Sequence, residues 1–139
     1  MIGIAGAGAF GTALAIAFGR GGMEVRLWAR DTETVSRMQK TGLSAGWLAG
    51  IHLPKTVSVR SEIDDLAIAQ AVLLCVPTQS LRGFLAQHAG VLNHLPLIAC
   101  CKGVDLTNLQ GPTAQIAAIC PDSTTAILTG PSLDRKSVG

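Results

Sequence analysis

Gly6, Gly8 and Gly11 set the spacing G-x-G-x-x-G, between an apolar run at Ile2 to Ala5 and an alanine-rich helical pattern at Thr12 to Phe18. Glycines so placed act through their backbone. The first permits a tight turn, the second lets N–H groups approach a pyrophosphate, and the third lets the following helix pack closely on the strand. The helix N-terminus then turns its partial positive charge on the phosphates. In an alanine- and glycine-rich chain such spacing can also be no more than a turn. Here a second strand pattern at Glu24 to Trp28 completes the first half of a β-α-β unit on the ~30-residue scale, which favours a dinucleotide site.

The other candidate residues follow apolar runs. Arg30 and Asp31 stand at the end of the second strand, where an acidic side chain holds a ribose 2′-hydroxyl and an arginine accommodates a 2′-phosphate. Asp31 also fits the N-cap of a helix opening Asp31-Thr-Glu-Thr-Val. Arg30 then suits NADP, and the choice between NAD and NADP stays open. Pro77 opens the Pro-Thr-Gln-Ser turn after the buried run Ala71 to Val76, at the strand edge where ligands of open parallel sheets bind. Lys102 follows a further buried run, Leu97 to Cys101. A lysine there is either a solvated strand terminus or a cation aimed into the crevice, and the pattern alone leaves both open. Gly130-Pro131-Ser132 turns after a short strand at Thr124 to Thr129.

These positions need a framework of strands and helices. Thr32 to Lys40 reads as a surface helix, Thr41 to Pro54 as a glycine-punctuated loop whose Trp47, Leu48, Ile51 and Leu53 pack down on the domain, and Val57 to Arg60 as a third strand. Ser61 to Gln70 is predicted helical, with Glu62, Asp64 and Asp65 in its first turns as solvated charges. Leu81 to Ala89 and Gln110 to Ile119 are further helices, the latter started by Gly111-Pro112. Strands alternating with helices predict an α/β fold, Rossmann-like and doubly wound, with a mostly parallel sheet and helices on both faces.

Composition narrows the class. The chain has 139 residues, 48% hydrophobic and 14% charged, enough for one domain with a core and far from the composition of disorder. A net charge of +2, with eleven scattered Lys and Arg, offers no footprint for nucleic acid or a membrane surface. No apolar stretch is long enough to span a bilayer, and strand pattern begins too close to Met1 for a secretory leader. Cys75, Cys100, Cys101 and Cys120 form no C-x-x-C and sit mostly in apolar runs, where cysteine acts as a small hydrophobe. A cytoplasmic location is expected. His52, His88 and His94 have no metal-ligand spacing with any Cys or carboxylate pair, so no metal site is expected, and no Ser-His-Asp or Cys-His order is present.

Together GAGAFGTALA, LWARD, GIHLP, VPTQSLR, CCKGVDL and LTGPS, in that order along the chain, resemble the NAD(P)-dependent glycerol-3-phosphate dehydrogenase family, bacterial type. The resemblance implies hydride transfer between sn-glycerol 3-phosphate and dihydroxyacetone phosphate, with NAD or NADP, for glycerophospholipid synthesis. Carried over by motif, Ala9, Phe10 and Arg30 contact the cofactor, Lys102 contacts cofactor and substrate, Gly130 and Ser132 lie along the substrate wall, and Asp134 lines the cofactor site. Residues 1–139 then form a dinucleotide-binding domain, incomplete at its C-terminal end. The family's helical substrate domain, with its proton-accepting lysine, is absent from the chain, which alone is expected to show little or no turnover. A homo-oligomer stays open for the full-length enzyme. The sequence departs from the family after Gly130-Pro131-Ser132, where Leu133-Asp134-Arg135-Lys136 puts Lys136 in the place of an expected acid. Two other readings remain in view: a non-catalytic NAD(P)-binding module or truncated fragment, and another two-domain reductase of hydroxyacid or ketopantoate type. The latter gives no reason for Lys102-Gly103 together with Gly130-Pro131-Ser132.

Overall fold

A computed structural model of the chain describes residues 1–46, 49–100 and 111–128. Six parallel strands form one sheet in the order β3-β2-β1-β4-β5-β6: β1 (Ile2–Ala5), β2 (Val25–Trp28), β3 (Val57–Arg60), β4 (Ala71–Leu74), β5 (Leu97–Ala99) and β6 (Thr125–Ile127). The described helices are α1 (Ala9–Arg20), α2 (Thr32–Thr41), α3 (Thr78–Leu92) and α4 (Pro112–Ile119), with a 3-10 turn at Ile63–Leu66. The chain builds outward from β1 to β3 and then returns to lay β4 against the other side of β1. That reversal opens a crevice between the carboxyl ends of β1 and β4, where doubly wound folds bind ligands.

Side-chain alternation in the strands explains why both faces are covered. Ile4, Leu27, Val59 and Leu73 point to one face and pack with Ala15 of α1 and with Val35 and Met38 of α2. Ala5, Trp28, Val72, Leu74 and Leu97 point to the other and pack with Leu81, Phe84 and Leu85 of α3 and Ile116 of α4. With both faces buried, β1, β4 and β5 read as near-continuous apolar runs, whereas β2 and β3 alternate with Arg26 and Ser58.

The predicted strands are all present, with Val57–Arg60 matching end to end and β4, β5 and β6 shorter than their apolar runs. The helix predicted over Ser61 to Gln70 is not there. Only Ile63–Leu66 turns, in 3-10 form. A continuing α-helix would need the Ser61 and Asp65 carbonyls, and side chains of β2 take them instead. The Trp28 indole N–H donates to Ser61 O at 3.1 Å, and the Arg26 guanidinium donates to Asp65 O at 2.7 Å. Asp65 N and Ala69 N donate to carbonyls three residues back, Glu62 O and Leu66 O.

Two helix starts also differ. α1 begins at Ala9, so Gly11 lies within its first turn, and α3 begins at Thr78 with Pro77 at the N-cap, so the expected four-residue turn is the helix's own first turn. α3 runs on to Leu92 through a local break in helical geometry at His88. In the loop before β3, Leu53 packs on the core and Leu43 bridges His52, while Trp47 and Leu48 lie outside the described residues. No described helix is long and apolar enough to cross a membrane.

The N-cap expectation holds for Asp31. Its Oδ1 accepts from Glu33 N at 3.1 Å and its Oδ2 from the Thr34 hydroxyl at 2.7 Å. Those hydrogen bonds, the Thr34 one foremost, hold its carboxyl below the ordinary aspartate value. A depressed folded-state value means that the cap contributes fully above the unfolded-state titration and is lost as pH falls through the folded one. Asp31→Ala is therefore expected to lower the melting temperature at neutral pH and to reduce the further drop on acidification, as thermal melts from pH 7 to 3 would register.

Candidate functional site

The glycine turn sits at the sheet's switch point. Gly6 N continues the sheet by donating to Trp28 O at 2.9 Å, and Thr12 ties the turn to the helix through its hydroxyl on Ala7 O at 3.1 Å and its N–H on Gly8 O at 2.9 Å. Each glycine has a distinct steric standing. Gly6 has φ +114, and a Cβ there would stand 2.6 Å from the Cys75 carbonyl oxygen of β4's end. At Gly11 a Cβ would run into the Gly6 carbonyl oxygen and come within 3.2 Å of Cys75 Cβ. Both positions require glycine for the fold itself. Gly8 is different: its backbone is extended, and a Cβ would meet nothing within 4 Å. The space before Gly8 is a cradle that a side chain would fill, which fits a ligand approaching the backbone there.

α1 starts from Gly8 without a side-chain cap and without an acidic residue in its first turn, so its positive end opens on that space. The crevice encloses about 480 Å³ and is lined by Gly6, Gly8, Ala9 and Phe10 from the turn, Cys75 to Thr78 from the end of β4, and Cys100 from the end of β5. Phe10 is half exposed at its rim. An apolar wall with backbone N–H donors at one end suits a pyrophosphate and the flat ring beyond it.

A second hollow adjoins the first across Gly6, Val76 and Pro77 and continues past Trp28, Arg30, Asp31 and Phe84. Arg30 is exposed at its edge, close to His88. Behind it Trp28, Phe84 and His88 cluster, with tilted rings whose centroids are 5.4 Å apart for Trp28 and Phe84 and 4.9 Å for Phe84 and His88, and with Trp28 and His88 edge to face at 5.5 Å. Burial, and then the Arg30 cation, hold His88 below the ordinary histidine value. A neutral His88 leaves Arg30 as the cation lining this hollow at pH 7. Asp31, with both carboxylate oxygens engaged in the cap, faces the same hollow.

The fold thus brings Gly6, Gly8, Ala9, Phe10, Arg30 and Pro77 around one continuous pair of hollows, while Gly11 is buried behind them against Gly6 and Cys75. Lys102, Gly130, Ser132 and Asp134 lie outside the described residues. Among the described residues no three His, Cys, Asp or Glu side chains come together as a metal site would need. Sequence reasoning missed two features. The Trp28, Phe84 and His88 cluster joins β2 to α3 and has no local pattern. Cys75 and Cys100 pack in the core, as their apolar runs predict, and in addition line the crevice. Each ends an apolar strand, and the strand register is what brings them together.

Comparison with known proteins agrees with this geometry. The family model described as "NAD-dependent glycerol-3-phosphate dehydrogenase N-terminus" matches residues 1–136. Among curated relatives, the glycerol-3-phosphate dehydrogenase [NAD(P)+] of Paracoccus denitrificans is 45% identical over 131 residues, covering 94% of this chain and 40% of the relative. That of Roseobacter denitrificans is 46% identical, covering 94% of this chain and 41% of the relative. The crystal structure of the glycerol-3-phosphate dehydrogenase of Coxiella burnetii superposes with a TM-score of 0.86 at 26% identity, over 95% of this chain and 41% of that one. The chain therefore spans about 40% of the length of the relatives it matches. With the match running through nearly all its residues, the chain belongs to the NAD-dependent glycerol-3-phosphate dehydrogenase N-terminal family.

Proposed function

We propose that this chain is the cofactor-binding half of an NAD(P)-dependent glycerol-3-phosphate dehydrogenase, which interconverts sn-glycerol 3-phosphate and dihydroxyacetone phosphate for glycerophospholipid synthesis in the cytoplasm. The observation that carries the reading is Gly8, the one member of the glycine turn with no steric reason in the protein to be glycine. The family match supports the choice of substrate. In this reading residues 1–139 are the dinucleotide-binding domain, a helical substrate domain completes the enzyme, and the intact enzyme assembles with copies of itself.

Backbone N–H groups of Ala9, Phe10 and Gly11 at the start of α1 would hold the pyrophosphate, Gly8 would leave room for it, and Gly6, its own N–H engaged on Trp28 O, would shape the turn. Pro77 would form the opposing wall. A nicotinamide dinucleotide held there supplies the hydride that dihydroxyacetone phosphate accepts. Arg30 would meet the adenosine 2′ position, with Asp31 committed to its cap. Lys102 would hold the substrate phosphate or the developing alkoxide, Gly130 and Ser132 would border the substrate, and Asp134 would border the cofactor. A lysine cation so placed stabilises charge that grows in the transition state.

Arg30→Ala is expected to weaken NADPH about tenfold, roughly 1.4 kcal/mol, and NADH much less. Equal losses for the two cofactors in calorimetric titration would remove the 2′-phosphate assignment. The reaction itself is tested by joining the chain to the helical half of a relative and following NADH oxidation by dihydroxyacetone phosphate. The chain alone should bind NADH without turnover, and the joined protein should turn over. Within the joined protein Lys102→Ala should lower kcat/KM about 100-fold, as for loss of one transition-state donor. Turnover by the chain alone would contradict a missing proton acceptor. Binding with no turnover in the joined protein would favour a non-catalytic module.

A further inference from the structure

We propose that Cys75 and Cys100 form a dithiol site on the crevice floor, one that peroxide converts to a disulfide and a trivalent arsenical bridges. β4 and β5 are parallel neighbours whose last paired residues are Leu74 and Ala99, so Cys75 and Cys100 are the next pair in register. The β4–β5 ladder continues to this point, with Cys100 N donating to Leu74 O at 3.0 Å, and on its other side Cys75 is held to β1, its N donating to Ala5 O at 2.8 Å. Paired residues of parallel strands point to the same face, and both cysteines pack in the cluster beneath α1. Neighbouring strands run about 4.8 Å apart, which lies within the window of about 4.4 to 6.8 Å that disulfides span between Cα atoms.

The two sulfurs already interact. The Cys75 thiol donates to the Cys100 sulfur and holds it below the ordinary cysteine value, against the upward push of burial. As a thiol, Cys100 donates to the Ile98 carbonyl at 3.7 Å. Both cysteines line the crevice, so a small oxidant entering it meets them. Cys120 offers a contrast within the same chain, since it is fully buried in the opposite cluster and burial pushes its thiol up. Reactivity follows thiolate character and access, which places the pair well ahead of Cys120.

The chemistry balances with hydrogen peroxide as the oxidant. The Cys100 sulfur attacks one peroxide oxygen, the O–O bond breaks, and one water leaves as Cys100 becomes a sulfenic acid. The Cys75 sulfur then attacks the Cys100 sulfur, the S–O bond breaks, and a second water leaves with the Cys75 proton. Two thiols lose two electrons to the peroxide and gain one S–S bond. The crevice floor they share with Gly8 and Ala9 lies under the proposed dinucleotide, so a bound cofactor would shield them. That shielding rests on the proposed function, whereas the bond does not.

The test treats the full chain with hydrogen peroxide, alkylates the remaining thiols, digests with trypsin and maps linked peptides by mass spectrometry. Cys75 lies in the peptide 61–82, and Cys100 and Cys101 share the peptide 83–102. Expected is a link between these peptides that dithiothreitol reverses, that survives Cys101→Ser and that disappears in Cys75→Ser and in Cys100→Ser. Cys100→Ala serves as a second variant should serine disturb the buried position, with circular dichroism checking that each variant folds. Phenylarsine oxide should bind the untreated chain one to one and lose that binding in the same variants. A link that survives Cys100→Ser, a link lost in Cys101→Ser, or neither link nor arsenical uptake in the folded chain would overturn the proposal. Saturating NADH should slow the link roughly tenfold. A link that forms equally fast with NADH present supports the dithiol site and counts against the dinucleotide reading of the crevice.

Discussion

Gly8→Val is expected to cost at least about 100-fold in NADH affinity, roughly 2.7 kcal/mol, while leaving the fold's stability within about 0.5 kcal/mol of the parent. The two effects separate because of where a side chain at this position would go. The backbone of Gly8 is extended, a conformation open to any residue, and its Cβ direction meets no protein atom within 4 Å. A branched side chain there would occupy the space in which a pyrophosphate must approach the N–H groups at the start of α1. Calorimetric titration beside a thermal melt reads both quantities. A variant that binds NADH as the parent does would show that the cradle before Gly8 is not where the phosphates lie.

The opposite signature is expected three residues later. Gly11→Ala adds one methyl group and should destabilise the fold by about 2 to 4 kcal/mol, or roughly 10 °C in melting temperature. Its Cβ would meet the Gly6 carbonyl oxygen and, at 3.2 Å, Cys75 Cβ. Neither obstacle can rotate away. Gly6 is itself held at φ +114 with the Cys75 carbonyl close by, so relief requires moving α1 off the junction of β1 and β4. Loss of cofactor affinity in this variant would follow from the displaced helix. A Gly11→Ala chain that melts with the parent would show that helix and strand are not in close approach here.

These contrasts mark how far the sequence could be read. The glycine spacing, the apolar runs and the Asp31 cap are local patterns, and each is set by residues within one turn or one strand of itself. They were enough to place the six strands and the crevice between β1 and β4. Long-range contacts account for most of the rest. Ser61 to Gln70 carries helix signals, yet its carbonyls at Ser61 and Asp65 go to Trp28 and Arg26, which are more than thirty residues away in β2. Pro77 reads as a turn residue and serves as the N-cap of α3. Arg30 could be named from its place after β2, but the Trp28, Phe84 and His88 rings behind it appear only when α3 lies across the sheet. The cysteines at 75 and 100 meet through strand register, which no local spacing encodes. The proposed substrate side would rest on Lys102, Gly130 and Ser132, which the family resemblance singles out and which lie outside the described residues.

The central claim is that the hollows joined at Gly6 and Pro77 hold one dinucleotide. Equilibrium titration of the chain with NADH, followed by the enhancement of nicotinamide fluorescence, tests it most directly. The account predicts saturable binding of one molecule per chain, lost in Gly8→Val although that variant melts with the parent. A correctly folded chain that shows no saturable NADH or NADPH binding up to millimolar concentration would contradict it.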